Sequence, residues 1–217
     1  KFPILPLRNT VLFPNQIIPV YVGRKQSLEL IKALPDKDKK LIIVVAQKDG
    51  NIENPKETDL YEYGTLAMVM KVFDMPDNSK SAIVQGLERV KISSYTKNTP
   101  YFQGVVKKIN EIVTDTVELD AISTNMQTIF KKLIEIVPYL SDEQMNVLTN
   151  IQNPANAADK AISLMNIPSK EKQEILEEFN VKNRIEKCTV LINREIQRIE
   201  LGEKIQSDVQ DEISKSQ

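Results

Sequence analysis

The spacing of apolar residues changes once along this chain. Residues 41–46 form a continuous β-branched run, and apolar residues alternate over 65–73, so both segments are predicted to be strands. Glycine is absent between Val105 and Leu201, and there the apolar period lengthens to about 3.6 residues. We therefore predict an α+β protein whose first part is β-rich and whose second part is helical.

The β-rich part opens with a segment bounded by prolines. Residues 5–7 are predicted to form a strand, residues 8–10 a polar turn, and residues 11–13 a second apolar run. Pro14 and Pro19 remove two backbone donors, so the residues between them are not expected in the centre of a sheet. The pattern further predicts a strand at 20–22, a helix at 24–34, strands at 82–85, 90–95 and 102–109, a hairpin loop at 76–79 and a break at Gly86. Such short strands favour a curled, barrel-like sheet that ends near residue 112.

The helical part carries clear start and stop signals. An amphipathic stretch from 119 to 137 ends at Pro138, and Ser141 with Gln144 forms a capping box for the next helix. Pro154 suits the first turn of a third helix, and a fourth begins at 168–169. Residues 181–213 read as one long helix whose polar second half is expected to project from its domain. We predict domains at 1–113 (β-rich), 117–180 (helical bundle) and 181–217 (long exit helix).

Composition excludes several classes of protein. With 29 basic and 30 acidic residues among 217, the net charge of −1 creates no overall field toward nucleic acid or an anionic membrane. No apolar run approaches the roughly 18 residues that span a bilayer. The single Cys188 cannot form an internal disulfide, which favours a cytoplasmic location. Because the chain begins at Lys1 and not at methionine, we expect an excised fragment.

The residues that usually carry out catalysis are scarce. Histidine is absent, which removes the commonest general base and metal ligand, and the six glycines are too scattered for a phosphate-binding loop. Cys188 lies on an apolar helical stripe, where a cysteine packs as a small hydrophobic residue. Carboxylate pairs such as Glu177 and Glu178 fall on polar faces, so they are expected to be solvated. We predict no catalytic, cofactor-binding or metal-binding residue in this chain.

The order of residues carries a resemblance to a known family. The opening stretch from 5 to 24 resembles the start of the N-terminal domain of Lon, the ATP-dependent AAA+ serine protease. Matching positions continue at 60–61, 64–67, 85–90 and 100–101, and more loosely at Val181, Arg184, Glu195, Leu201, 204–205, Val209 and Gln217. The chain departs from the family pattern at Asn15 and Gln16, where a glycine-containing pair is more usual.

The resemblance implies a fold and a role. It implies a six-stranded PUA-like β pseudobarrel followed by an α-helical bundle and a long C-terminal helix. It also implies that this chain binds unfolded or damaged protein substrates for a parent that assembles as a hexamer. ATP and Mg would belong to an ATPase module, and peptide cleavage to a serine-lysine peptidase, neither of which this sequence contains.

Binding of many different unfolded sequences requires exposed apolar surface. Two places qualify by sequence: the proline-bounded loop with Ile17, Ile18 and Pro19, and the hairpin tip with Met75 and Pro76. The alternative is that the isoleucines lie in the core and that the methionine is only a tip residue.

Two other functions remain as alternatives. PUA-like barrels elsewhere bind RNA, but the balanced charge and the lack of aromatic residues among the lysines disfavour a nucleic-acid-binding module. A purely structural role would use the long helix as a spacer for oligomer assembly.

Overall fold

The computed structural model describes residues 1–216, which form two compact units. The first unit comprises residues 1–112 and 165–179, and the second comprises 113–164 and 180–217. The strands are β1 (Phe2–Leu7), β2 (Ile17–Val22), β3 (Leu41–Ala46), β4 (Tyr63–Asp74), β5 (Lys80–Lys97) and β6 (Phe102–Lys108). The helices are α1 (Lys25–Lys32), α2 (Thr116–Ile136), α3 (Asp142–Thr149), α4 (Pro154–Leu164), α5 (Ser169–Leu176) and α6 (Val181–Ser216), with a short 3-10 turn at Glu57–Asp59.

The six strands form a sheet that curls on itself. The strand order is β2-β5-β4-β3-β1-β6, and the long strand β5 also pairs with β6, which closes the barrel. Among the strands of the described residues, β1 and β3 pair in parallel and the other pairs are antiparallel. The prediction of a curled, barrel-like sheet is confirmed, as is the α+β class.

Strand β3 lies at the centre of the hydrophobic interior, as its continuous apolar run predicted. Ile42 and Val44 pack in one buried cluster with Leu30 of helix α1, whereas Ile43 and Val45 pack in a second cluster. Both faces of β3 are therefore covered, which explains why this strand lacks the polar alternation of a half-exposed strand.

The predicted break at Gly86 is wrong, because β5 continues through it as one 18-residue strand. Gly86 is needed for a close approach: a Cβ atom there would lie 2.2 Å from the carbonyl oxygen of Phe13. Gly86 also exchanges main-chain hydrogen bonds of 2.8 Å with Asn15 and Gln16. Residues 11–13 form no strand, although their side chains are buried as an apolar run requires.

Helix α5 belongs to the first unit, although sequence analysis grouped it with the bundle at 117–180. Arg89 Nε of strand β5 donates to the carbonyl oxygen of Leu176 at 2.8 Å, and Gln173 Nε2 donates to that of Tyr63 at 2.9 Å. The ring of Phe179 packs 5.1 Å from that of Tyr63. Helical spacing predicted the helix correctly but contains no information about its packing partner. The three functional domains proposed from sequence stay a prediction.

The second unit is built from α2, α3, α4 and α6 around a buried apolar centre. Asp115 caps α2 by accepting from the backbone of Val117 at 2.9 Å, and Ser141 and Gln144 form the predicted capping box of α3. Residues 201–216 of α6 are exposed on all sides. Within residues 1–216, no helix combines the length and the apolar character needed to cross a membrane.

Candidate functional site

Strand β2 is an edge strand, as the prolines predicted, but it begins at Ile17, so residues 17–19 lie in the strand and not in the predicted loop. Within residues 1–216 its one partner strand is β5, with Ile17 opposite Gln85, Pro19 opposite Ile83 and Tyr21 opposite Ser81. Gly86 N donates a hydrogen bond to Gln16 O. Because every second residue of an antiparallel strand bonds to its partner strand, the main-chain groups of Gln16, Ile18, Val20 and Val22 face β5. The main-chain groups of Pro19 face away from β5, so its missing N–H costs no hydrogen bond between β2 and β5.

The side chains of β2 alternate between solvent and core. Ile17, Pro19 and Tyr21 are exposed, with 54% of Ile17 and 68% of Tyr21 accessible to solvent. Ile18 is half-buried and packs against the core cluster, and Val20 is buried. The structure therefore places Ile17 and Pro19 on the surface and separates Ile18 from them.

The register brings further apolar side chains to the same outward face. Residues that lie opposite each other in a ladder share a face of the sheet, so Ile83 lies beside Pro19, and Phe73 of β4 lies across Ser81 from Tyr21. Ile83 is half-buried, whereas Phe73 is exposed, as is Met70 at an irregularity in the β4–β5 ladder. We call this set the ribbon patch: Ile17, Pro19, Tyr21, Met70, Phe73 and Ile83.

The second predicted site lies at the end of this ribbon. Met75 and Pro76 are exposed in the turn that joins β4 to β5, where Met75 N donates to Ser79 O at 2.9 Å. Tyr21 Oη donates to Asp77 Oδ2 at 3.4 Å, which links the turn to β2. Hydrogen bonds from the hydroxyl and backbone N–H of Ser79 lower the pKa of Asp77, so this carboxylate stays charged. The two predicted sites thus lie along one three-stranded ribbon.

The surface of the patch is only weakly polar. Lys71 Nζ lies 4.8 Å from the centroid of the Phe73 ring, and Lys80 pairs with Asp74 beside the turn. Lys71 also lies opposite Ile83 in the β4–β5 ladder, whereas Ile17 lies opposite the neutral Gln85 and Pro19 lies opposite Ile83. The arrangement can bury apolar groups of a partner.

A cavity of about 250 Å³ runs along the edge of β2 that does not pair with β5. It is lined by the end of β1 and the turn after it on one side, and by β2 and its exit on the other. Arg24 crosses the gap, with Nη2 donating to Pro6 O at 2.8 Å and Nη1 donating to Gln47 Oε1. Burial lowers the pKa of Arg24, and the nearby positive charge of Arg8 lowers it further.

Sequence reasoning missed four members of the ribbon patch: Tyr21, Met70, Phe73 and Ile83. The alternation over 17–22 could have placed Tyr21 on the face of Ile17, since residues two apart in a strand share a face. Ile83 and Phe73 required the register between three strands, which depends on the tertiary structure.

Within the part of the chain that the structure describes, no three histidine, cysteine, aspartate or glutamate side chains are grouped so as to hold a metal ion. Cys188 is buried in the helical unit, with its sulfur 3.8 Å from the carbonyl oxygen of Ala158.

The curled sheet with an exposed apolar ribbon defines a class of protein, a binding module built on a β barrel with appended helices. Residues 1–194 match the family model described as the ATP-dependent protease La (LON) substrate-binding domain. The chain therefore belongs to the LON substrate-binding domain family.

Curated relatives agree with this assignment. The chain is 38% identical over 217 residues to Lon protease of Koribacter versatilis, covering 99% of this chain and 26% of the relative. It is also 38% identical over 215 residues to Lon protease of Dictyoglomus thermophilum, covering 99% of this chain and 27% of the relative. The chain thus spans about a quarter of the length of the relatives that it matches.

A solved structure supports the fold. The N-terminal domain of Mycobacterium avium complex Lon protease superposes with a TM-score of 0.71 at 14% identity, covering 90% of this chain and 97% of that one. At this identity the similarity concerns the fold alone.

Proposed function

We propose that this chain is the substrate-recognition part of an ATP-dependent Lon protease and that it binds unfolded or damaged protein segments through the ribbon patch and Met75. The observation that carries the proposal is the continuous outward face on which the ladder registers place Ile17, Pro19, Tyr21, Ile83 and Phe73. A folded protein hides most of its large apolar side chains, whereas an unfolded segment exposes them.

The shape and chemistry of the patch suit partners of many sequences. Apolar contacts are non-directional, so they do not demand one particular side chain from the partner. Met70 and Met75 are unbranched and adapt to irregular surfaces, which is typical of promiscuous binding sites. The strands beneath are held by a closed barrel, so the patch is presented on a rigid support.

The remaining functions belong to the whole protein. We propose that the complete protein uses ATP and Mg in an ATPase module, cleaves peptide bonds with a separate peptidase, assembles as a hexamer and works in the cytoplasm. In this division of labour the present chain supplies recognition and supports assembly but supplies no catalytic residue.

The test measures binding of a permanently unfolded protein, such as reduced and carboxymethylated lactalbumin, to the 217-residue chain. A variant with Ile17→Ser, Tyr21→Ser, Phe73→Ser and Met75→Ser should bind at least about tenfold more weakly. Each lost side chain is worth on the order of 1 kcal/mol if half buried in the complex, and about 1.4 kcal/mol is a factor of ten.

The control variant carries serine at Val117, Val147 and Val190, which are exposed apolar residues of the second unit. It should bind like the unchanged chain. Thermal melting of every variant checks that folding is intact. An unchanged affinity of the ribbon variant with an unchanged melt would show that substrates bind elsewhere.

A further inference from the structure

The free edge of β2 presents main-chain groups that point away from the sheet. Because the ladder to β5 uses alternate residues from Gln16 onward, the N–H and C=O groups of Ile17 and Tyr21 and the C=O group of Pro19 face outward. Within residues 1–216, no hydrogen bond from another part of the chain reaches these five groups, and all three residues are exposed. They form a row of donors and acceptors with the spacing of a strand.

The cavity lies along this same edge and is positively charged. Arg8 and Arg24 are among its lining residues, and within the described chain none of the lining residues is acidic. Arg8 is exposed, and among the described residues it makes no ion pair. Two neighbouring positive charges without a counter-ion favour an anionic group in the cavity.

From the outward main-chain groups of β2 and the two arginines beside them, we infer that an extended segment of the unfolded partner pairs with the free edge of β2 as an added strand, with an acidic side chain seated at Arg8 and Arg24. This inference rests on the proposed function, because it specifies how the same partner is held. The free edge is continuous with the ribbon patch, since Ile17, Pro19 and Tyr21 contribute main-chain groups to one and side chains to the other.

This mode of binding explains how the site accepts many sequences with a defined orientation. Main-chain hydrogen bonds are independent of the partner's side chains, and they fix its alignment along β2. The ribbon patch then receives apolar side chains that follow every second position. Pro19 offers only an acceptor, so the partner needs no matching carbonyl group opposite it.

The experiment uses the 217-residue chain and capped, fluorescent octapeptides with alternating apolar residues and one glutamate. Two versions carry backbone N-methyl groups on alternate residues, one version on the odd positions and the other on the even positions. An added strand directs only one of these sets of N–H groups toward β2. One version should therefore bind at least about tenfold more weakly than the parent peptide, because two or more hydrogen bonds are lost, whereas the other should stay within about twofold.

The comparison of the two versions separates strand addition from other effects of methylation, since both carry equal numbers of methyl groups. Equal affinities for the two versions, whether retained or lost together, would overturn the inference. The serine variant of the ribbon patch provides the independent readout. If that variant weakens binding while both methylated versions bind alike, the proposed function stands and strand addition fails.

Charge reversal tests the acidic side chain. The variant Arg8→Glu should weaken the glutamate peptide by about fivefold and strengthen a peptide with lysine in its place, because an exposed ion pair is worth up to about 1 kcal/mol. Lys131→Glu, an exposed lysine on helix α2, controls for net charge and should affect both peptides less. An equal response of both peptides to Arg8→Glu would overturn the assignment of the anion to this cavity.

Discussion

The two units of this protein each bury an arginine, but they neutralise it differently. Arg89 of the first unit is 4% exposed; its Nε donates to the carbonyl oxygen of Leu176, and its Nη1 lies 3.2 Å from Glu111, which reaches solvent. Arg184 of the second unit is fully buried, and its Nη1 lies 3.8 Å from the equally buried carboxylate of Asp159. The first arginine ties a helix to a barrel, and the second joins two helices.

The two arginine–carboxylate pairs differ in how far water reaches the carboxylate. A pair that is buried on both sides has lost the hydration of two charges, so removing one partner leaves the other charge uncompensated. A pair with one carboxylate in contact with water loses less, because water can replace part of the interaction. The helical unit is therefore expected to be more sensitive to a single change of charge than the β unit.

The largest expected effect follows from Asp159→Ala. It removes the carboxylate that lies beside the buried guanidinium of Arg184 and should lower the free energy of unfolding by about 3–5 kcal/mol. Urea unfolding followed by circular dichroism measures the loss. The double variant Asp159→Leu and Arg184→Met should recover much of it, because both charges of this buried pair are then replaced by apolar side chains. A cost below about 1 kcal/mol for Asp159→Ala would contradict the comparison.

A smaller effect is expected for Arg89→Met in the first unit. The hydrogen bond to Leu176 and the pair with Glu111 are lost, and a hydrogen bond to a charged group is worth about 1.5–3 kcal/mol. Limited proteolysis within residues 165–179 should accelerate as α5 loosens from the barrel. The matched control is Lys108→Met, whose pair with Glu88 reaches solvent on both sides and should cost much less stability than Arg89→Met.

Gly86 of the first unit is tightly packed against another backbone segment, whereas Gly202 of the second unit is not. Gly86→Ala in β5 should destabilise the protein by about 1–3 kcal/mol, because the new Cβ atom would meet the carbonyl oxygen of Phe13. Gly202→Ala in α6 meets no atom within 4 Å and should increase stability or helicity by up to about 1 kcal/mol. Thermal melts of the two variants should therefore shift in opposite directions. A neutral Gly86→Ala would show that β5 and residues 11–13 can separate without cost.

The smallest effect concerns the exposed carboxylate of Asp77 in the turn of the first unit. Its pKa is lowered from the usual 3.8 by the hydrogen bonds from Ser79. Since the folded pKa lies below the unfolded value, this contribution is present above about pH 4 and is lost as the pH falls through the folded pKa. A carbon-detected NMR titration should show the pKa of Asp77 rise toward its usual value in Ser79→Ala. No change would mean that Ser79 does not hold the carboxylate in solution.

Much of the fold followed from local patterns. The bounds of β3, the capping box at Ser141 and the first-turn proline of α4 were predicted correctly, because each depends on residues within one element. The edge position of β2 was also predictable, because a proline inside a strand is tolerated at an edge. The helix at 169–176 was predicted, but its membership of the β unit depended on Arg89 and Gln173, which act over large separations in sequence.

Part of the candidate site was also predictable from local sequence patterns. Ile17, Pro19 and Met75 were chosen as exposed apolar residues, and the structure places them on the surface. Ile18 has the same chemistry as Ile17 but lies on the other side of the strand, half-buried against the core. Their role in binding stays a prediction that the serine variants can test.

By itself the sequence determined most of the helices and strands, because hydrophobic period, helix caps and prolines act over a few residues. It also determined the family, because residues 1–194 match the pattern of that family. Only the tertiary structure decided that two separate apolar segments share one face, that β5 continues through Gly86 and that the open edge of β2 lies beside Arg8. Those features depend on strand register and on close backbone approach between residues that are distant in sequence. Local sequence patterns determine neither of them.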